Sequence, residues 1–289
     1  IRDYSSIEES LDSRVMAGFG GVAEYGITVR WDKNFLKLIY ITLMRRPRFQ
    51  VFGSVRFGGT FTVEDAWELG FDHVAIAVGA GLPQALPIPG SLAPGMRMAA
   101  DFLMALQLTG AAKASSLANL QMRLPVVVIG GGLTGIDAAT EAQAYYITQV
   151  EKTLERYEAL TKAFGRNAVR KKMDAASLTI LDEFLDHGHA VKYERKRAKA
   201  AGVTPNFQML VQRWGGVTVA YRRRIQDSPA YIRNHEEVTK AMEEGIYYAE
   251  RMYPKTAKLD KHGHVKSLLC ERMKQDANGN IQFSGDLVE

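Results

Sequence analysis

Cysteine is nearly absent from this sequence, in which Cys270 is the single one among 289 residues. The chain can therefore form no internal disulfide, no C-x-x-C redox pair and no metal or iron–sulfur site held by several of its own cysteines. Such usage is typical of a reducing compartment, and we expect a cytoplasmic protein. The six histidines have no metal-ligand spacing either, so no metal site is predicted.

Long apolar runs are also missing. No stretch is long enough to span a bilayer, and the first residues do not form a signal peptide, so we predict no membrane span. The sequence begins with Ile1 and not with a methionine, which leads us to expect an excised piece of a longer protein. Its 289 residues, of which 46% are hydrophobic, suffice for one large or two medium domains.

The net charge of +5 raises the question of nucleic-acid binding. The basic residues do not form one surface interleaved with aromatic residues, but fall into separate groups at Arg166–Lys172, Lys192–Lys199 and Arg222–Arg224. The first two groups lie in polar, helical sequence and predict a solvated face. No nucleic-acid partner is therefore expected.

A glycine-rich junction between a strand and a helix is the most informative stretch. Val126–Ile129 is an unbroken β-branched run, which predicts a strand buried on both faces of a parallel sheet. Gly130, Gly132 and Gly135 follow at G-x-G-x-x-G spacing, and an Ala-rich helix is predicted from Thr134 onward. Strand, turn and helix together indicate a dinucleotide-binding unit. The alternative is a glycine-rich turn that binds nothing.

Each glycine of this turn has its own physical role in the predicted site. Gly130 permits the tight turn, Gly132 lets a pyrophosphate approach the backbone because it has no Cβ, and Gly135 lets the helix pack close to the strand. The N–H groups and the positive dipole end of the helix would face the phosphates. We predict cofactor contacts at these three glycines, at Gly131 and at Thr134.

The second strand of the expected βαβ unit comes late. No strand-like sequence follows the first helix until Val217–Tyr221, and residues 145–215 are charged and mostly helical, so we predict a helical insertion there. Its apolar residues, such as Ile147 and Val150, recur at helical spacing, and a later helix is expected to end near Gly188. We expect this apolar stripe to pack on the insertion's own helices. A docking surface for another domain or subunit is the alternative.

Arginines follow this second strand at the position where NAD and NADP are distinguished. The tip of the strand lies beside the adenosine ribose, where an acidic residue would accept hydrogen bonds from the 2′-hydroxyl of NAD. Arg222 and Arg223 instead suit a 2′-phosphate, since a guanidinium can form two parallel hydrogen bonds to it. We therefore predict NADP(H). The alternative is a basic surface loop without a ligand.

The other elements are predicted from shorter patterns. Helices are expected at Phe35–Met44, Thr62–Leu69, Arg97–Leu108 and Asn234–Glu244. Strands are expected at Phe49–Phe57, Asp72–Val78, Ile246–Arg251, Val265–Met273 and Ile281–Phe283, the last two forming an antiparallel pair. The residues from Gly285 onward are interpreted as the entry to another strand.

Four segments together resemble the small subunit of glutamate synthase and its relatives among the flavin- and pyridine-nucleotide-dependent oxidoreductases. They are GGVAEYGITVRWDK from Gly20, VAIAVGAGLPQALPIPG from Val74, VVVIGGGLTGIDAATEA from Val126, and the run Val217–Gly245 that contains VAYRR and SPA. The last two are fairly specific as a pair.

The resemblance implies an α/β fold with two parts. Residues 124–289 would form a Rossmann-like parallel-sheet domain that binds the nicotinamide coenzyme and carries the helical insertion, and residues 1–123 a partial FAD-type domain with a crossover. The implied chemistry is hydride transfer from NADPH to FAD, with electrons passed to a partner domain or subunit that can hold iron–sulfur clusters. The resemblance adds Gly79 and Gly81, as crossover glycines near the cofactors, to the site residues.

Departures from the family pattern limit what this chain is expected to do alone. The glycine fingerprint that binds the FAD pyrophosphate in the family is absent, and Leu133 and Gly135 replace the Asn and Ala of the family's second motif. We therefore expect FAD in the complete protein and none in this chain by itself. The alternative function is a non-catalytic assembly module, in which the nucleotide fold is a scaffold and the helical insertion makes the contacts.

Overall fold

The computed structural model describes residues 35–77, 83–276 and 280–289. The chain divides into two compact units, one at residues 32–84 and a larger one that contains residues 85–289. Three features singled out in the sequence lie outside the described residues, namely the loop from Gly20, Gly79 and Gly81.

The smaller unit contains two helices in its described part, α1 (Phe35–Met44) and α2 (Val63–Glu68). Both confirm the predicted helices. The helix α2 begins after Thr62 because this residue and Asp65 form a capping box. The Thr62 hydroxyl accepts from the amide of Asp65, and the Asp65 carboxylate accepts from the amide of Thr62 at 2.7 Å.

The strands predicted for this unit do not form within its described residues. Phe57 makes an isolated bridge with Phe61, and residues 72–77 have no ladder partner. Ile76, in the middle of the second predicted strand, is 72% exposed. The predictions at Phe49–Phe57 and Asp72–Val78 were wrong because an apolar run becomes a strand only where a neighbouring strand accepts its backbone hydrogen bonds.

The larger unit combines two sheets with several helices. Its helices are α3 (Ala99–Leu108), α4 (Leu133–Phe164), α5 (Arg166–Arg170), α6 (Ala175–Ala201), α7 (Phe207–Arg213) and α8 (Pro229–Glu243). Its strands are β1 (Val126–Ile129), β2 (Val217–Tyr221), β3 (Tyr247–Glu250), β4 (Met252–Leu259), β5 (Val265–Gln275) and β6 (Ile281–Val288). The strands β1, β2 and β3 are parallel in that order, and β4, β5 and β6 form an antiparallel sheet. The predicted α/β class with a parallel sheet is confirmed.

The core of this unit lies between the parallel sheet and the helices that follow β1 and β2. Val217 and Val219 of β2 are fully buried and pack in one apolar cluster with Ile136 of α4 and Val238 of α8. The strand β1 differs from the prediction, because Val127 is 46% exposed. In the described chain β1 is an edge strand, where the sheet is less completely covered than at the central strand β2.

The helix α4 continues from the glycine turn into the predicted insertion. It runs without a break over 32 residues, so the first helix of the nucleotide unit and the first helix of the insertion are one element. Its buried apolar residues pack against α6 and α7 in a second cluster, formed by Tyr146, Ile147, Val150, Phe184, Val191, Leu210 and Val211. This part of the apolar stripe therefore packs on the insertion's own helices, as expected, whereas Leu160 and Phe164 beyond it are exposed.

Gly188 lies inside α6 and not near its end, contrary to the prediction. A Cβ at Gly188 would lie 2.7 Å from the Val150 carbonyl oxygen and 2.9 Å from the Leu154 Cβ. The missing side chain at Gly188 therefore lets α6 pack closely against α4. The helix ends instead at Gly202, which adopts the left-handed conformation of a C-terminal cap.

We expect Gly188→Ala to destabilise the chain by about 1–3 kcal/mol, because the added carbon meets backbone that cannot rotate away. The better helix propensity of alanine, about 1 kcal/mol, offsets this loss only in part. Urea unfolding measures the difference, with His189→Ala at the exposed neighbouring position as the control. Equal stability of Gly188→Ala and wild type would contradict the close helix crossing.

The C-terminal antiparallel pair is confirmed, and both of its strands are longer than predicted. The residues from Gly285 onward continue β6 and pair with β5, with Val288 opposite Cys270, so the prediction that they enter another strand was wrong. The strand β4 was not predicted at all. Its sequence MYPKTAKL contains a proline and two lysines and has no apolar run.

Candidate functional site

The carboxyl ends of β1, β2 and β3 meet at one edge of the parallel sheet, which we call the carboxyl edge. Gly130 follows β1, Arg222 follows β2 and Arg251 follows β3. Ligands of open α/β sheets bind outside this edge. The fold therefore brings the predicted glycine turn and the predicted arginines to the ends of neighbouring strands.

The glycine turn is open on the face at Gly132. The amide of Gly130, which has φ +135°, donates to the Ala220 carbonyl at 3.0 Å, so the ladder between β1 and β2 extends into the turn. Gly132 is the N-cap of α4, with no side chain capping the helix, and Thr134 is exposed in the first turn. A Cβ at Gly130 or Gly132 would meet nothing within 4 Å. The start of α4 therefore has free space beside its backbone.

The opposite face of the turn is closed by packing. A Cβ at Gly135 would lie 2.9 Å from the Gly130 carbonyl oxygen, so the missing side chain lets α4 approach the turn. A Cβ at Gly131 would lie 2.7 Å from the Tyr221 ring, which fills the space beside it. The glycine turn thus has one face closed by Tyr221 and one face open at Gly132.

The helix α8 begins against the same turn. The amide of Ala230 donates to the Gly131 carbonyl at 2.9 Å, and Ser228 caps the helix by accepting from the Tyr231 amide. A small crevice here is also lined by Tyr248 of β3. The Tyr248 hydroxyl is buried without a hydrogen-bond partner in the described chain, and burial raises the pKa of Tyr248 above its ordinary value. The SPA triplet of the sequence motif therefore supports the glycine turn.

A crevice rich in basic side chains lies at the ends of β2 and β3, beside β5. We call it the basic crevice; its cationic lining is Arg222, Arg223, Arg224, Arg251 and Lys274. Arg224 is held by Asp227 at 3.2 Å, a contact that raises the pKa of Arg224 and lowers the pKa of Asp227. In the described chain no ion pair is formed by the other four cations.

Basic residues of the helical insertion differ from those of the crevice because many of them are paired. Their ion pairs include Arg170–Asp182 at 2.6 Å, Lys192–Glu158 at 3.2 Å, Arg197–Glu194 at 2.6 Å and Arg195–Glu151. Two of these pairs, Lys192–Glu158 and Arg195–Glu151, join α4 to α6. These four cations are therefore neutralised within the insertion.

Two residues of the basic crevice, Arg251 and Lys274, were not among the predicted site residues. Arg251 could have been found, because it was predicted to end a strand, and parallel strands end at one edge. Lys274 could not, because it reaches the crevice only through the pairing of β5 within a separate sheet. No group of three or more His, Cys, Asp or Glu in the described chain is placed to hold a metal ion.

Comparison with known proteins identifies the family. The family described as pyridine nucleotide-disulphide oxidoreductase matches residues 17–220, which is more than half of the chain. The chain belongs to this family. Pyridine nucleotide-disulphide oxidoreductases are redox proteins, and the matched residues include the glycine turn and the whole of the insertion. The finer resemblance to the glutamate synthase small subunit is not shown by this match.

Individual relatives add little about function. The chain is 40% identical over 268 residues to the uncharacterized protein RP006 of Rickettsia prowazekii (strain Madrid E), covering 93% of this chain and 35% of that protein. It thus spans about a third of the length of this curated relative. Among solved structures, the His57Gln mutant of FprA from Mycobacterium tuberculosis is similar with a TM-score of 0.49 and 17% identity, over 93% of this chain and 58% of that one. No described helix is long and apolar enough to cross a membrane.

Proposed function

We propose that the larger unit binds NADPH at its carboxyl edge, as the nicotinamide-binding part of a flavin-dependent oxidoreductase like the glutamate synthase small subunit. The family supports a redox function in general. The choice of NADPH rests on one observation: Arg222 and Arg223 follow the strand next to the glycine turn and form no ion pair with any described residue.

The residues at this edge fit the two charged parts of the coenzyme. The open face at Gly132, at the start of α4, can accept a pyrophosphate, because a helix N-terminus offers amide donors and a positive dipole end. Arg222 and Arg223 supply fork-shaped donors that match a 2′-phosphate. Gly130, Gly131 and Thr134 would line the pyrophosphate in this arrangement, and Gly135 would hold α4 in place.

The protein's part in the reaction is to bind and orient the coenzyme. NADPH supplies a hydride when it is bound, and the acceptor in the complete protein would be FAD, with electrons passed on to a partner domain or subunit that can carry iron–sulfur clusters. Hydride transfer needs no general acid or base from the side chains at the carboxyl edge, because its rate depends on the alignment of the two reacting rings. The single cysteine is consistent with a reducing compartment such as the cytoplasm.

The alternative function, an assembly module built on the helical insertion, is less well supported by the packing. Most of the insertion's apolar stripe is buried between α4, α6 and α7, which leaves little of it free for a partner. We propose that FAD is absent from this chain alone, and that Gly79 and Gly81 contact the cofactors only in the complete protein.

Titration with NADPH and NADH tests the proposal. We expect wild type to bind NADPH more tightly, and the double variant Arg222→Ala/Arg223→Ala to lose most of this preference, about 10- to 100-fold, because charge-assisted hydrogen bonds to the 2′-phosphate are removed. Arg233→Ala, an exposed arginine on α8, is the control and should keep the preference. If wild type binds both coenzymes equally, the assignment of the arginines is wrong.

A further inference from the structure

Arg251 occupies a junction that joins the two sheets of the larger unit. Its amide donates to the Arg223 carbonyl at 3.1 Å, and its carbonyl accepts from the Met273 amide at 2.7 Å. Arg223 follows β2, and Met273 lies in β5 immediately before Lys274. These two backbone bonds fix Arg251 between two other basic positions.

The backbone of Arg251 is in a conformation that favours glycine. Its φ is +59°, in the left-handed region, where an L-residue with a long side chain is disfavoured. Glycine at this turn would therefore relieve strain in the fold. An arginine in such a strained conformation leads us to look for a function of its side chain.

Most of the cations at this junction form no ion pair in the described chain. Asp227, the acidic residue that lines the crevice, is engaged by Arg224. Arg222, Arg223, Arg251 and Lys274 form no ion pair with a described carboxylate. Like charges gathered in one crevice repel each other, and a multiply charged anion would remove that repulsion.

We infer that Arg251 and Lys274 form one anion site with Arg222 and Arg223, so that the junction of the two sheets binds the 2′-phosphate of NADP(H). The inference rests on the proposed function and extends it, because it gives the antiparallel sheet a direct role in the choice of coenzyme. Arg251 adds a further guanidinium to those of Arg222 and Arg223 in the lining of one crevice, and Lys274 adds a point charge from β5. Loss of either side chain should weaken binding of a 2′-phosphate and of no other part of the coenzyme.

Calorimetric titration of the 289-residue chain with adenosine 2′,5′-bisphosphate and with 5′-ADP tests this inference. We expect Arg251→Gly to weaken binding of the 2′,5′-bisphosphate about tenfold, and Lys274→Gln to weaken it several-fold, with 5′-ADP affected little in both variants. Lys266→Gln removes an exposed lysine from the same strand outside the crevice and should leave both affinities unchanged. The Tm of Arg251→Gly should equal or exceed that of wild type, because glycine accepts the left-handed conformation.

The possible results separate the inference from the proposed function. If wild type prefers NADPH to NADH but Arg251→Gly and Lys274→Gln bind the 2′,5′-bisphosphate like wild type, the inference is wrong and the proposed function stands. An equal loss of affinity for 5′-ADP would also overturn the inference, because it would show a general effect on nucleotide binding. If wild type shows no preference for the 2′-phosphate, both are wrong.

Discussion

Gly132→Val is expected to abolish NADPH binding while the chain loses at most about 1 kcal/mol of stability, because valine is less favourable than glycine at a helix N-cap. A Cβ at Gly132 meets nothing within 4 Å, and the backbone there has φ −90° and ψ 167°, values that suit a β-branched residue. The protein itself therefore has room for the new side chain. A pyrophosphate at the start of α4 would compete for the same space, so the main loss should appear in binding.

Gly135→Val is the matched comparison for this prediction. A Cβ at Gly135 would lie 2.9 Å from the Gly130 carbonyl oxygen, and we expect this variant to be destabilised by about 1–3 kcal/mol. The pair of variants thus distinguishes Gly132, which leaves space for a ligand, from Gly135, which lets α4 pack against the turn. Thermal unfolding and NADPH titration measure both effects. A Gly132→Val variant with wild-type NADPH affinity would place the coenzyme elsewhere.

The strand β1, the glycine turn and the start of α4 could be predicted from the sequence because their pattern is local. Strand, glycine turn and helix occur within a short stretch of chain, and each follows from the conformational preferences of consecutive residues. The length of α4 could also have been predicted from local sequence. No glycine or proline occurs between Gly135 and Gly165, so nothing in the sequence ends the helix at the insertion.

Features that depend on distant packing could not be predicted in this way. A glycine such as Gly188 often ends a helix, which is why the sequence predicted an end there. Its role in the packing of α6 on α4 depends on Val150, which is distant in sequence. The basic crevice is similar, because Lys274 joins Arg222 through the pairing of β5 in the second sheet. The apolar run at residues 72–77 shows the opposite case, in which a strong local pattern has no partner in the described chain.

Glu244 is expected to make the stability of the chain fall as the pH rises from about 4.5 to above about 7. This residue caps α8 and faces α4, where the Gln143 side chain donates to its backbone carbonyl at 2.6 Å. Burial raises the pKa of Glu244 from its ordinary value of 4.5 to about 7, and the nearby Glu141 carboxylate adds to this effect while Lys240 opposes it. The folded chain therefore keeps a proton that the unfolded chain releases.

The direction of the pH dependence follows from this raised pKa. Below about pH 4.5 the folded and the unfolded chain both keep the Glu244 side chain protonated, so this group does not change the free energy of unfolding. Between about pH 4.5 and 7 the unfolded chain loses the proton first, so the free energy of unfolding decreases. Above about pH 7 the total loss in the free energy of unfolding is at most about 3 kcal/mol. Urea unfolding across this pH range should show the decrease in wild type and a much flatter profile in Glu244→Gln, which cannot ionise but keeps the backbone bond to Gln143. Glu243→Gln, at the exposed neighbouring position, should follow wild type, and a Glu244→Gln profile parallel to wild type would show that this carboxyl does not control the pH dependence.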